Sequence, residues 1–191
     1  MKPDYAILPF ETRAAFAKWL AKNHTREKGA WVQFAKKGSG IPSLSYAEAV
    51  EVALAHGWID GQAAPHEEPF WLQRFTPRRA RSKWSRINRE RAEKLIKAGE
   101  MTPVGLEEVE AAKADGRWEA AYAGPKTAEV PEDFIAALKH NKAAARFFET
   151  LDSRNRFAII YRVGDAKKAE TRARRIEQFV AMLAEGKKVY P

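Results

Sequence analysis

Apolar residues recur at helical spacing over residues 12 to 22, where Phe16, Trp19 and Leu20 fall on one side and Thr12 stands where an N-cap belongs. The run from Ala30 to Lys36 changes period. It is aromatic and β-branched and predicts a strand. Gly38-Ser-Gly-Ile-Pro42 then breaks regular structure, and Ser45-x-x-Glu48 forms a capping box whose two side chains satisfy each other's free backbone donors. That helix carries Val50, Val52 and Leu54 and should stop at Gly57, a natural left-handed residue after a helix. Trp58 to Gly61 predicts a short strand or turn, and Phe70 to Phe75 another strand that Pro77 ends.

From Ser82 onward the pattern is helical. Ser82 is placed to cap a helix that continues to about Ala98 and is stopped by Gly99; Thr102 and Pro103 start the next, which closes before Gly116. Trp118 and Tyr122, at i and i+4, predict a short amphipathic turn. Helices are expected near 131–139, 142–150, 153–163 and 166–185, the first with acids Glu132 and Asp133 at its positive end. Gly124 to Val130 reads as a linker. The fold class is α+β: a small N-terminal sheet with flanking helices over residues 1–123, followed by a helical C-terminal part over 131–191.

Charge sharpens this picture at one place. Between Arg74 and Arg91 stand eight basic residues and one acid, a net of +7 in eighteen residues out of +9 for the whole chain of 191. A solvated helix face mixes signs, so this block implies a small anionic ligand or an acidic protein surface, or carboxylates brought in by the fold. With Ser82 as cap, free N–H groups and partial positive charge at the helix start join Arg78, Arg81, Ser85 and Asn88 as donors suited to phosphate or carboxylate. Trp84, Asn88, Arg91 and Leu95 share a face, so Asn88 and Arg91 point inward and need partners, either acids and carbonyls of the sheet or a ligand.

Asp60 lies close in sequence to His56 and Trp58. It is expected to make a bidentate structural pair with Arg74 or Arg78; the catalytic alternative makes it a general base with His56 as relay. His56, at a helix C-terminus, suits dipole stabilisation or packing. On the last helix Ala169, Arg172, Ile176, Phe179, Val180 and Leu183 share a side, so Arg172 should pair with Asp60 or with the anion of the Arg78 cluster. Trp31, Trp58, Trp71 and Trp84 could stack bases, but their periodicity assigns them to the core.

Other chemistry is not signalled. The four histidines lack metal-ligand spacing, Gly38-Ser39-Gly40 lacks a phosphate-loop ending, and no Gly-x-Ser-x-Gly elbow occurs, so neither metal nor cofactor is expected. Zero cysteines suit a reducing compartment, and Pro3 and Asp4 precede any apolar run. No stretch has the length of a membrane span, so the chain reads as cytoplasmic. Oligomeric state is left open.

The residues also carry a resemblance. Gly57-Trp58-Ile59-Asp60-Gly61, Arg74-Phe75-Thr76-Pro77-Arg78, Ser82-x-Trp84-Ser85-x-x-Asn88, Gly99-x-Met101-x-x-x-Gly105 and Glu170-Thr171-Arg172-x-Arg174-Arg175-Ile176 resemble, in this order, the bacterial YdeI/OmdA family, labelled bacteriocin-protection, YdeI or OmpD-associated. The resemblance runs from the Trp31 strand to Gly186. It implies a stress or protection protein and names no reaction. Joined to the basic block, it implies a non-catalytic binder of an anion or anionic partner through Trp58, Asp60, Arg74, Arg78, Arg81, Ser82, Trp84, Ser85, Asn88 and Arg172. A nucleic-acid-binding module, and an enzyme on a phosphorylated or carboxylated substrate with Asp60 as base, are the alternatives.

Overall fold

The computed structural model describes residues 5–191, which form two compact units that part between Ala121 and Tyr122. The first unit runs β1 (Ile7–Pro9), α1 (Arg13–Asn23), β2 (Ala30–Ala35), α2 (Tyr46–Ala55), β3 (Trp58–Pro65), β4 (Phe70–Pro77), α3 (Arg86–Lys97) and α4 (Pro103–Ala114). The second holds α5 (Glu132–Lys139), α6 (Lys142–Glu149), α7 (Ser153–Gly164) and α8 (Ala169–Ala184). The architecture is α+β, with the sheet and its helices first and helices alone afterwards.

The sheet order is β1-β2-β4-β3, with β1 parallel to β2 and the other pairs antiparallel. Side chains alternate across it, so the pairs Val32↔Gln73, Phe34↔Trp71 and Asp60↔Phe75 share one face while Trp31↔Arg74 occupies the other. Phe16 from α1 meets Phe75 edge-on at 5.7 Å, and Phe16, Leu20, Val32, Phe34, Val50, Trp58 and Phe75 are buried together. Each such side chain removed from water stabilises the fold by about 1.5–3 kcal/mol. Between Asp60 and Ala63 the β3–β4 register shifts at a bulge, and β3 ends at Pro65 as β1 ends at Pro9.

Local signals set most element ends. Thr12, Ser45 and Thr102 accept from the backbone N–H groups of Ala15, Glu48 and Gly105, and the Ser45–Glu48 box is closed in both directions. Gly57 takes φ +70°, and a Cβ there would stand 3.1 Å from Val104 Cγ1. Gly105 is tighter: its missing Cβ would lie 2.3 Å from the Ala55 carbonyl oxygen, so α4 crosses the end of α2 at a separation only glycine permits.

One expectation is corrected. The helix expected from Ser82 begins at Arg86 with Ser85 as its N-cap, because Trp84 must precede it to enter the core against Trp118, ring centroids 4.9 Å apart. Of the strand or turn expected at Trp58 the structure shows a strand, eight residues long, and β1 is an additional strand. The residues around Trp118 form turns.

In the second unit Phe134 and Phe148 pack edge-on at 5.5 Å, joined by Leu138, Ala144, Ile159, Val163 and Leu183. Buried Asn155 accepts from the Tyr190 N–H at 2.9 Å, and Arg154 lies 4.3 Å over the Tyr190 ring.

Candidate functional site

The basic segment is built around Arg78. β4 ends at Pro77, and the Arg78 N–H donates to the Gly57 carbonyl at 2.9 Å, fixing the chain as it leaves the sheet. The Arg78 side chain is buried, with its guanidinium carbon 3.6 Å above the Trp84 ring and its Nη1 donating at 3.5 Å to the Lys83 carbonyl. The charge therefore stacks on an indole inside the fold. The Arg79 N–H donates to Ser82 Oγ at 2.9 Å, and Arg117 reaches across to donate to the Ser82 carbonyl at 3.0 Å. Ser82 thus closes a turn instead of capping a helix.

Those bonds hold the loop from Arg79 to Ser85 in one shape, and three arginines on it and at the start of α3 face outward. Arg79, Arg81 and Arg86 are exposed and make no ion pair among the described residues. Farther along α3, Arg91 donates to Asn88 Oδ1 at 3.2 Å, so the two inward polar groups satisfy each other rather than the sheet. Ser85 Oγ is occupied by the Asn88 N–H.

Glu108 also belongs to this region, and sequence reasoning missed it. Its spacing to Gly105 and Ala112 on α4 sets an acid in the buried stripe, which is the signal that could have found it. Burial raises its pKa, and the charges of Arg78 and Arg117 pull in the opposite direction. Glu108 is thus a carboxylate within the field of the buried Arg78.

Asp60 does not pair with Arg74 or Arg78. Opposite Phe75, it projects to the helix-covered face, whereas Arg74, one residue earlier on β4, projects to the other face, 6.0 Å from the Trp31 ring. The Asp60 carboxylate accepts from the Tyr46 hydroxyl at 2.7 Å. Trp58 is core, its ring edge-on to Trp19 at 5.9 Å and its Nε1 donating to the His24 carbonyl. His56 is buried with Nδ1 2.8 Å from the Val52 carbonyl; burial lowers its pKa, the Val52 bond opposes this, and nearby His24 adds to the lowering.

Arg172 is likewise reassigned. It binds the Asp133 carboxylate through two nitrogens, one at 2.8 Å, and donates to the Val163 carbonyl at 3.1 Å. The hydrogen bonds from Arg172 hold the Asp133 carboxyl below its ordinary range and raise Arg172 in turn. Of the ten expected binding residues, the structure gathers Arg78, Arg81, Ser82, Trp84, Ser85 and Asn88 in one continuous segment and engages Trp58, Asp60, Arg74 and Arg172 elsewhere. Among the described residues no group of three or more histidine or acidic side chains is placed to hold a metal ion, and no helix is long and apolar enough to cross a membrane.

Residues 8–108 match the family described as Domain of unknown function (DUF8412), to which the chain belongs, and residues 127–186 match the family described as Bacteriocin-protection, YdeI or OmpD-Associated (OmdA). The OmdA likeness is thus narrower than the motifs suggested: four of the five lie in the first match, and the segment beginning at Glu170 lies in the second. No curated protein and no solved structure matches the chain.

Proposed function

We propose that this DUF8412 chain, which carries an OmdA domain, acts as a bacterial protection protein of the YdeI kind by docking an acidic protein surface on Arg79, Arg81 and Arg86, without catalysis. The observation that carries the reading is the exposure of these three arginines, two on a loop held by the Arg78, Ser82 and Arg117 hydrogen bonds and the third at the start of α3. A lone exposed ion pair contributes only about 0–1 kcal/mol. Presenting three from one fixed backbone avoids the cost of ordering that segment and adds planar bidentate recognition of carboxylates. Trp58 and Trp84 are each 1% exposed, so they offer no stacking platform for bases, which favours an acidic protein over single-stranded nucleic acid. Asp60, bonded to Tyr46, lies outside the arginine segment and so gives little support to a base-and-clamp enzyme.

Fluorescence anisotropy with a labelled poly-glutamate peptide and a labelled DNA duplex tests this. The peptide should bind, weaken as salt rises from about 50 to about 200 mM, and lose at least about tenfold in affinity with Arg79→Ala/Arg81→Ala/Arg86→Ala. Unchanged peptide affinity in the triple variant refutes the docking surface. Tighter, sequence-independent binding of the duplex, lost in the same variant, would transfer the surface to nucleic acid.

A further inference from the structure

A different part of the first unit carries an open cavity of about 410 Å³, within the roughly 300–1,000 Å³ span of small-molecule sites. After β2 the chain turns through Lys36 to Ser45 and folds back beside the aromatic corner where β2, β4 and the start of α2 meet. Trp71 stacks on Phe34 with centroids 4.8 Å apart and planes at 24°, and Tyr46 stands 6.0 Å from Trp71, tilted by 53°. The hydroxyl of Tyr46 is tied to Asp60, which fixes the direction of its ring. Ile41 and Tyr46, 41% and 38% exposed, both line this cavity, so solvent reaches apolar surface that the core does not use.

The polar part of the lining has one sign. Lys36 is neutralised by Glu68, but Lys37 makes no ion pair among the described residues. Gly38 and Gly40 take φ of +87° and +72°, and nothing lies within 4 Å of where their Cβ atoms would stand, which leaves that turn open to close approach. Aromatic walls on one side and an uncompensated ammonium on the other select for a flat ring that carries an acid group.

We infer that this cavity binds a planar aromatic anion, with its ring against Trp71 and Tyr46 and its carboxylate or phosphate at Lys37 and the Gly38–Gly40 turn. A nucleoside monophosphate and an aryl carboxylate share that chemistry. Isothermal titration with AMP and with indole-3-acetate separates these sources, and adenosine and inorganic phosphate supply each half alone. Saturable binding of at least one anion is expected, with adenosine about tenfold weaker than AMP, since a charge-assisted contact at this level corresponds to one decade. Phosphate at the same concentration should not displace the anion.

Lys37→Glu should weaken the anions by about tenfold or more and leave adenosine unchanged, and Tyr46→Ala should weaken all three ring compounds. Lys37 is exposed and makes no ion pair among the described residues, so circular dichroism melts of Lys37→Glu should match the parent protein. The triple arginine variant should retain full AMP affinity. Absence of saturable binding by either anion, or Lys37→Glu without effect, overturns the inference. Loss of AMP binding in the triple arginine variant also overturns it, because the anion would then reside on that loop.

Discussion

Gly105→Ala puts a methyl group into the crossing of α2 and α4. The new carbon would stand 2.3 Å from the Ala55 carbonyl oxygen, 2.5 Å from Met101 Sδ and 2.9 Å from the Ala55 carbonyl carbon. The thioether can swing away; the carbonyl cannot, since it accepts from both the N–H and the hydroxyl of Thr102. Relief therefore requires α4 to withdraw by about 1 Å, a displacement that close-packed interiors resist. Overpacking of this kind costs about 1–3 kcal/mol, and weakening the two Thr102 bonds adds about 1 kcal/mol each. Better helix propensity returns about 1 kcal/mol. The net expectation is a loss of roughly 2–4 kcal/mol. All six tryptophans lie at or before Trp118, within the first unit, so indole fluorescence in a urea melt follows that unit alone. The midpoint should fall substantially, and Met101→Ala in the same chain should not restore it. Gly99→Ala is the comparison: there φ is +69° with nothing within 4 Å, so only the left-handed backbone is strained, at about 1 kcal/mol. A Gly105→Ala midpoint equal to or above that of the parent would refute the reasoning.

Asp60→Asn should change stability by less than about 1 kcal/mol, because an amide oxygen still accepts from Tyr46 and no buried cation is stranded; a urea midpoint shift worth more than about 2 kcal/mol would mean that Asp60 compensates an arginine after all. His56 has its pKa lowered in the fold, so the unfolded chain takes up its proton first and stability is lost as pH falls below about 6.5. Tryptophan-detected melts should show that acid-side slope reduced in His56→Leu, and an unchanged slope in that variant would refute the assignment. The Asp133 pKa is lowered, so its bond to Arg172 contributes fully above the ordinary carboxylate range and is lost as pH falls through the folded value. Both side chains are partly exposed, at 30% and 44%, which limits the coupling to about 1 kcal/mol; a double-mutant cycle with Asp133→Asn and Arg172→Gln should find it smaller at pH 3 than at pH 7.

Helices were legible where capping is local. Ser45 with Glu48, Thr102 with Pro103, and Gly57 after α2 set their ends within a few residues of sequence. Ser82 and Ser85 are equally fit to cap, and the choice rests on Trp84 packing against Trp118, thirty-four positions away. β1 is three residues long and paired in parallel, too short for alternation to reveal, and the reach of β3 beyond Gly61 hides behind Asp60-Gly61 and two alanines, all weak strand formers. Site residues divided the same way: the basic block shows in composition, but which arginines are spent internally depends on sheet faces. Arg74 and Asp60 were expected to meet from closeness in sequence, and alternation sends them to opposite sides. Asp133, thirty-nine positions before Arg172, read only as a favourable charge at a helix start.

The two outer strands of the sheet are poor templates for another backbone. β1 offers three residues and closes on Pro9, while β3 is kinked by its bulge and closes on Pro65, a residue with no N–H to give. Strand addition, the usual way for an extended peptide to join a sheet or for one copy to zip onto the next, is therefore discouraged at both borders. A partner of the first unit has to be recognised by side chains instead of by main-chain ladders, and its specificity can then be retuned by substituting surface residues without touching the strands.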